Sequence, residues 1–294
     1  MKRLKPFSYF EPSTLTEAID ILKEQGSRAL PLAGGTDILV RMKRGEILPT
    51  ALVNLKRIEG LREIKKESKK GIDMGALTSI SAIEHSSLIQ SSCPVLAQAA
   101  SLLGSPSIRN MATLGGNVGR ASPASDMIPS LIVLGANVGI DGPKGKRVVG
   151  IEQLFLGPGQ TTLSSGEVIT SFSIPEMEVN TGAAYLKLGR TAGMDCCLAG
   201  VGVLLTLSAK KNELKVARVA LAAVAPIPLR AKKAEEVLLS GPLNQERINE
   251  AAQVTADESS PISDTRASAS YRKEMVRVFA QRAFSAALKQ AQGG

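Results

Sequence analysis

Ala112-Thr113-Leu114-Gly115-Gly116-Asn117 runs through the middle of the chain, followed closely by Ala121-Ser122-Pro123-Ala124-Ser125-Asp126. An earlier stretch of related make-up reads Ala33-Gly34-Gly35-Thr36-Asp37. Paired glycines place no Cβ between backbone N–H groups and a ligand. Consecutive N–H groups around a concavity attract anions, phosphates above all. One such stretch marks a turn as readily as a site. Two of them, beside small hydroxyl or amide side chains, fit a diphosphate gripped from both sides, and so a dinucleotide. Neither has the Gly-x-Gly-x-x-Gly spacing of the Rossmann fold, which disfavours a Rossmann dehydrogenase but not a dinucleotide. Gly142-Pro143-Lys144-Gly145-Lys146 has a superficial likeness to a phosphate loop. A Walker A motif requires glycine where Ile140 stands and Ser or Thr where Arg147 stands, so a hairpin turn is the better reading.

Outward from these stretches the chain divides into three segments, residues 1–57, 58–177 and 178–294. The first reads β-α-β-β. Thr14-x-x-Glu17 is a capping box opening an amphipathic helix that Gly26 ends, and a strand over 28–32 runs into the first glycine stretch. Residues 38–42 are a helix turn or a strand, and 51–55 a strand. In the second segment 61–66 and 70–74 form a strand pair, and Ser81-x-x-Glu84 is a second capping box. An Ala-rich helix over 95–103 ends at Gly104, and 127–134 is a buried helix. Strands over 137–140 and 146–149 form a hairpin, and another over 167–174 ends at Pro175. The third segment has strand candidates at 183–188, 199–208 and 214–224, then helices over 231–239, 245–257 and 270–292. Strands followed by helices predict an α+β domain with a three-stranded antiparallel sheet.

Bulk composition removes several function classes. The 294 residues are 44% hydrophobic and 21% charged, as in a globular protein. No apolar run reaches the roughly 18 residues of a membrane span, and no signal-peptide core follows the basic N-terminus, so a cytoplasmic protein is expected. Cys93, Cys196, Cys197 and the single His85 give too few soft ligands for an iron–sulfur or zinc site. His85 reads as a surface helix residue, and the adjacent cysteines as buried free thiols. The net charge is +9, but the basic residues are dispersed in pairs such as Lys65-Lys66, Lys69-Lys70 and Lys210-Lys211, and aromatics make up only 3%. Nucleic-acid binding is therefore not expected, since stacking platforms are scarce.

The two glycine stretches and the 121–126 segment resemble the medium, flavin-binding subunit of molybdenum hydroxylases, the family of xanthine dehydrogenase and aerobic carbon monoxide dehydrogenase. The C-terminal run Val219-Ala220-Leu221-Ala222-Ala223-Val224-Ala225-Pro226-Ile227-Pro228-Leu229-Arg230-Ala231, then Asp264-Thr265-Arg266 and Tyr271-Arg272, is similar to that subunit's last domain. The resemblance covers nearly the whole chain, with all segments in order.

The resemblance implies an α+β, two-subdomain FAD-binding fold of the vanillyl-alcohol oxidase type followed by an α+β C-terminal domain. FAD would lie between the first two segments. Carried over by position, its contacts are Pro31, Leu32, Ala33, Gly34, Gly35, Thr36, Asp37 and Ile38 on one side, and Thr113, Leu114, Gly115, Gly116 and Asn117 on the other. Leu103 supplies an apolar wall, Asp126 an acceptor for a ribose or flavin-chain hydroxyl, Ile169 and Lys187 further lining. Ile169 reads equally as a core residue, and a surface lysine is the rival reading of Lys187. No catalytic residue is expected, because the flavin carries the redox step. The resemblance also implies a large molybdopterin subunit and a small subunit with [2Fe–2S] clusters, assembled as a dimer of heterotrimers. Electrons would pass from those clusters through FAD to NAD or a quinone-type acceptor. Relatives that reduce aromatic thioesters carry an extra cluster in an insertion, for which this chain has no cysteines. Two alternatives share the residues: a stand-alone flavin reductase on the same fold, and a basic nucleic-acid-binding module.

Overall fold

A computed structural model describes residues 4–67, 71–191, 193–209 and 213–293; Lys69, Lys70, Lys210 and Lys211 lie outside the described residues. Thr14 accepts the Glu17 N–H at 3.2 Å and so starts helix α1 (Leu15–Gln25), while Glu17 reaches back to the Ser13 N–H at 2.9 Å. Gly26, at φ +71°, ends the helix. Strands β1 (Ser8–Phe10), β2 (Ala29–Leu32) and β3 (Ala51–Asn54) form a parallel sheet in the order β1-β3-β2. The ambiguous residues after the first glycine stretch form helix α2 (Ile38–Arg44), so this segment reads β-α-β-α-β.

The middle of the chain builds a five-stranded antiparallel sheet, β4-β5-β10-β6-β7, from β4 (Ile64–Glu67), β5 (Gly71–Gly75), β6 (Asn137–Gly142), β7 (Gly145–Gly150) and β10 (Val168–Ile174). Gly142 pairs with Gly145, so the false phosphate loop is a hairpin turn. A small ribbon, β8 (Phe155–Gly157) with β9 (Gln160–Thr161), precedes β10. Helices α3 (Ile80–His85), α4 (Ser87–Ser92), α5 (Pro94–Ser101), α6 (Pro106–Met111), α7 (Leu114–Gly119) and α8 (Met127–Leu134) intervene between β5 and β6. One expectation is corrected here: Ser79, not Ser81, caps α3, accepting the Ala82 N–H at 3.0 Å. The reason is tertiary. Thr78 and Ser79 are held against residues 112–114 by the pairs Leu114 N–H to Thr78 O and Ile80 N–H to Ala112 O, and the helix begins directly after them with Ser79 as its cap. Glu84 pairs instead with Arg109 at 2.7 Å.

The remaining residues form an antiparallel sheet of β11 (Thr181–Leu188), β12 (Ala199–Leu207), β13 (Leu214–Ala222) and β14 (Leu229–Arg230), with α9 (Lys232–Leu239), α10 (Gln245–Glu258) and α11 (Ala269–Ala291) on one face. The sheet has four strands, not three; the two-residue β14 is too short to carry a periodic signal. All nine residues of β12 are buried. Val201, Val203 and Leu205 pack with Ala283, Phe284 and Ala287 of α11. Leu204, on the opposite face, joins the core around α8, and at Gly202 a Cβ would stand only 3.3 Å from Pro129. A strand covered on both faces reads as one continuous apolar run.

Arg272 of α11, 2% exposed, ties the end of this sheet together. It donates to Leu198 O at 3.1 Å, Ala223 O at 3.3 Å and Asp264 Oδ1 at 2.8 Å. Ala223 sits at φ +65°, a conformation disfavoured for a residue with a Cβ. Its N–H bonds Pro123 O at 2.7 Å, so the strained residue holds the turn that leads to Asp126.

Candidate functional site: a cavity between two glycine segments

A cavity of about 620 Å³ opens where the parallel sheet meets the antiparallel one, a size typical of small-molecule and cofactor sites. Its first jaw is the connection between β2 and α2. At Gly34 a Cβ would lie 2.1 Å from Met111 O, so only glycine lets the two jaws approach here. Gly35 has φ +81°. Among the described residues, no hydrogen bond uses the N–H groups of Gly34, Gly35 or Thr36. They are open to an anion.

The second jaw differs from the sequence expectation. Thr113 to Asn117 is not a loop but the cap and first turn of α7, and the N–H groups from Leu114 to Asn117 are already spent. Leu114 donates to Thr78 O at 3.0 Å, Gly115 to Ala76 O at 2.8 Å, Gly116 to Thr113 Oγ1 at 3.1 Å and Asn117 to Thr113 O at 2.9 Å. The glycines serve close packing: a Cβ on Gly115 would stand 2.7 Å from the Ala76 Cβ. What this side turns to the cavity is side-chain chemistry, namely Thr113, Asn117 and Arg120.

Of the residues singled out by sequence, Pro31, Ala33, Gly34, Gly35, Thr36, Asp37, Ile38, Leu103, Thr113, Gly115, Gly116, Asn117, Asp126 and Ile169 line the cavity. Leu32 and Leu114 are buried in apolar clusters instead and brace the jaws from behind. Lys187 does not line it either, and it is no surface residue: its side chain is 7% exposed. Its ammonium donates to Asp126 Oδ2 at 2.8 Å and Leu102 O at 2.9 Å, while the Tyr185 hydroxyl donates to Asp126 Oδ1 at 2.9 Å. Asp126 is thus a hub whose two oxygens both have partners. Burial pushes its carboxyl up from the ordinary value, and Lys187 and Tyr185 offset only part of that.

Several lining residues were not legible in the sequence. Arg41 and Arg120 reach the cavity from α2 and from the end of α7. Arg41 lies four residues after Asp37, a helical spacing that offered a signal. Glu167 lines the wall while held by both forks of Arg147, at 2.7 and 2.8 Å, which keeps its carboxyl below the usual range. Met194, Asp195 and Cys196 arrive from the β11–β12 connection, so the third segment also contributes. Cys196 is exposed, correcting the expectation of two buried thiols; Cys197, its buried neighbour, faces the other way, 4.0 Å from the Tyr185 hydroxyl. Alternation along an extended chain separates them. His85 is exposed at the end of α3, as its sequence context suggests.

The lining fits a dinucleotide such as FAD on observations independent of resemblance: three open N–H groups, a close approach that any Cβ would block, and buried Nε atoms on Arg41 and Arg120 that make no hydrogen bond, although the Glu46 and Asp37 carboxylates stand 3.6 and 3.0 Å from them. A buried donor left unmade is costly, so such atoms mark where an acceptor belongs.

Comparison with known proteins agrees with this geometry. Residues 5–177 match the model of the FAD binding domain in molybdopterin dehydrogenase, and residues 183–287 that of the CO dehydrogenase flavoprotein C-terminal domain. The carbon monoxide dehydrogenase medium chain of Hydrogenophaga pseudoflava is 34% identical over 96% of both chains. The xanthine dehydrogenase FAD-binding subunit of Escherichia coli O157:H7 is 28% identical over 97% of both. The solved Hydrogenophaga pseudoflava carbon monoxide dehydrogenase, in a form lacking the Mo-pyranopterin moiety, superposes with a TM-score of 0.93 over 97% of this chain and 98% of that one.

Proposed function

The chain belongs to the FAD-binding subunits of the molybdenum hydroxylase family, and from that membership we propose that the cavity between the glycine segments is the FAD site of a multi-subunit dehydrogenase. The reading rests on one observation above the others: both segments line a single cavity, and one of them offers unpaired N–H groups. Pro31–Ile38 and Thr113–Asn117 would hold the diphosphate between them, with Leu103 and Ile169 as apolar wall. When bound, FAD supplies one- and two-electron exchange that no side chain of this protein provides.

The chain's own residues bind, orient and exclude water. Open N–H groups at Gly34 to Thr36 present fixed dipoles that need no reorganisation when an anion arrives. Asp126 would fix one wall, since Lys187 and Tyr185 hold its carboxylate in place. Residues 194–196 would close the cavity on the side of the third segment.

The finer reading follows the family. Partners would be a large molybdopterin subunit and a small [2Fe–2S] subunit, in a cytoplasmic dimer of heterotrimers, with electrons leaving to NAD or a quinone-type acceptor. Among the described residues no helix is long and apolar enough to cross a membrane. Division into segments 1–57, 58–177 and 178–294 is part of the same proposal, each carrying one of the three larger sheets.

Co-expression with the neighbouring subunits followed by acid release of flavin tests the reading. One FAD per chain is the expected result. A folded preparation that takes up no FAD, even with its partners present, refutes it. Mixing the substrate-reduced complex with NAD⁺ or with a soluble quinone, and following reoxidation, identifies the acceptor.

A further inference from the structure

The two jaws are unequal. On the first side the backbone is open; on the second every N–H from Leu114 to Asn117 is donated within the fold. A diphosphate held from both sides therefore needs side-chain donors on the second. Arg120, immediately after α7, is the cation in that position.

We propose that Arg120, with Arg41 opposite it, is a diphosphate-binding residue, and that Asp37 is the counter-ion holding the pair until a dianion replaces it. This rests on the FAD reading above and adds residues that the glycine pattern does not contain.

Asp37 Oδ2 lies 3.0 Å from Arg120 Nε and 3.8 Å from Arg41 Nη1, so one carboxylate sits between guanidiniums from opposite jaws. The pairing is incomplete. Nε of both arginines is buried and makes no hydrogen bond, even with carboxylates this near. Glu46 adds a second carboxylate, 3.6 Å from Arg41 Nε, and shares itself with Arg44 at the same distance. Three arginines against two carboxylates leave this corner cationic. Arg120 is also held from behind: at Gly159, between β8 and β9, a Cβ would stand 3.1 Å from Arg120 Nη1, and the Gly159 N–H bonds Ala121 O at 2.9 Å. The ribbon therefore fixes the side chain against the cavity. A planar guanidinium matches two phosphate oxygens at once, which a single carboxylate oxygen at its Nε does not satisfy.

The test titrates the full-length apo chain with FAD and with riboflavin, which keeps the ring and lacks the diphosphate. Arg120→Gln should raise the FAD dissociation constant about tenfold to a hundredfold, the value of one or two charge-assisted hydrogen bonds. Riboflavin binding should stay unchanged, and FAD binding should lose salt dependence. Arg41→Gln should act in the same direction, and Arg120→Lys should restore part of the affinity. Melting of each apo variant separates a binding defect from misfolding. A fall in the apo melting temperature with Arg120→Gln large enough to account for the weakened FAD binding would mean that the Asp37–Arg120 pair is a structural latch, and the proposal would fall. It would also fall if Arg120→Gln left FAD untouched or weakened riboflavin equally. A wild-type chain that binds riboflavin and FAD alike removes the diphosphate site altogether, and one that binds neither, alone or with partners, removes the FAD reading.

Discussion

Replacing Gly34 with alanine adds one carbon atom and tests whether the jaws close on the cofactor. The new Cβ would lie 2.1 Å from Met111 O, 2.9 Å from Met111 C and 3.0 Å from Ala112 Cα, all backbone atoms without a rotamer to yield. Relief to ordinary contact requires the β2–α2 connection to retreat by roughly 1 Å, and overpacking on this scale costs about 1–3 kcal/mol. The retreat also moves the N–H groups of Gly34, Gly35 and Thr36 from their places. Two such bonds to a charged group are worth about 3 kcal/mol or more together, or at least a hundredfold in affinity. FAD binding to the apo chain, followed by quenching of flavin fluorescence, should weaken by that factor, and the melting temperature of the apo form should fall by several degrees. Gly150→Ala is the control, because the nearest atom to its new Cβ is 3.9 Å away. If Gly34→Ala bound FAD within threefold of wild type at an unchanged melting temperature, the jaws would not be what grips the cofactor.

Three further predictions come from other parts of the molecule. Lys187→Met leaves the Asp126 carboxylate buried beside Tyr185 alone, and should destabilise the chain by about 3 kcal/mol; Lys187→Met with Asp126→Asn should recover part of this in chemical denaturation, and strict additivity would show the two uncoupled. Asp264 is held well below the usual carboxylate range by the guanidinium and backbone of Arg266, and further by Arg272. Its contribution is therefore fully present above its unfolded value of about 4 and lost only as pH falls through the folded value. The melting-temperature gap between wild type and Asp264→Asn should be constant from neutral pH to about pH 4 and shrink below it, and a gap that narrows already between pH 7 and 5 contradicts this. In the native state Cys196 should react quickly with a thiol reagent, while Cys93, its thiol pushed up to about 12 by burial, and Cys197, raised further by the same cause, should stay silent until unfolding. Fast modification of Cys93 would place it in a different environment.

The fold was legible where local rules dominate. Thr14 and Gly26 bound α1 through hydrogen bonds within a few residues of each other, and the Asn137–Gly150 hairpin follows from its turn. The apolar run of β12 was visible, although not the fact that both faces are covered. Failures came where a distant segment decides. The cap of α3 sits at Ser79 because Thr113 and its neighbours pin the preceding residues. The second glycine stretch looked like an open anion cradle because sequence shows where N–H groups occur, not where they are donated. Ala76 and Thr78, far back in the chain, take two of them. Lys187 kept a surface lysine as its rival reading, since its partner Asp126 lies on another sheet's connection. Arg120 carried no local signal, as its place against the cavity depends on Gly159 and Asp37.

The match to the FAD-binding family ends at residue 177, yet the carboxylate of Asp126 is paired with the Lys187 ammonium and accepts the Tyr185 hydroxyl, both on β11. A fragment stopped there would keep all its glycines and lose the counter-ion beneath them, while α8 would lie bare along a face that β12 and β13 now cover. The seam is one of chain, not of energy. Recombination between relatives at that seam would deliver a new floor charge together with the new tail, and so would rewire the cavity without altering a residue of either glycine segment.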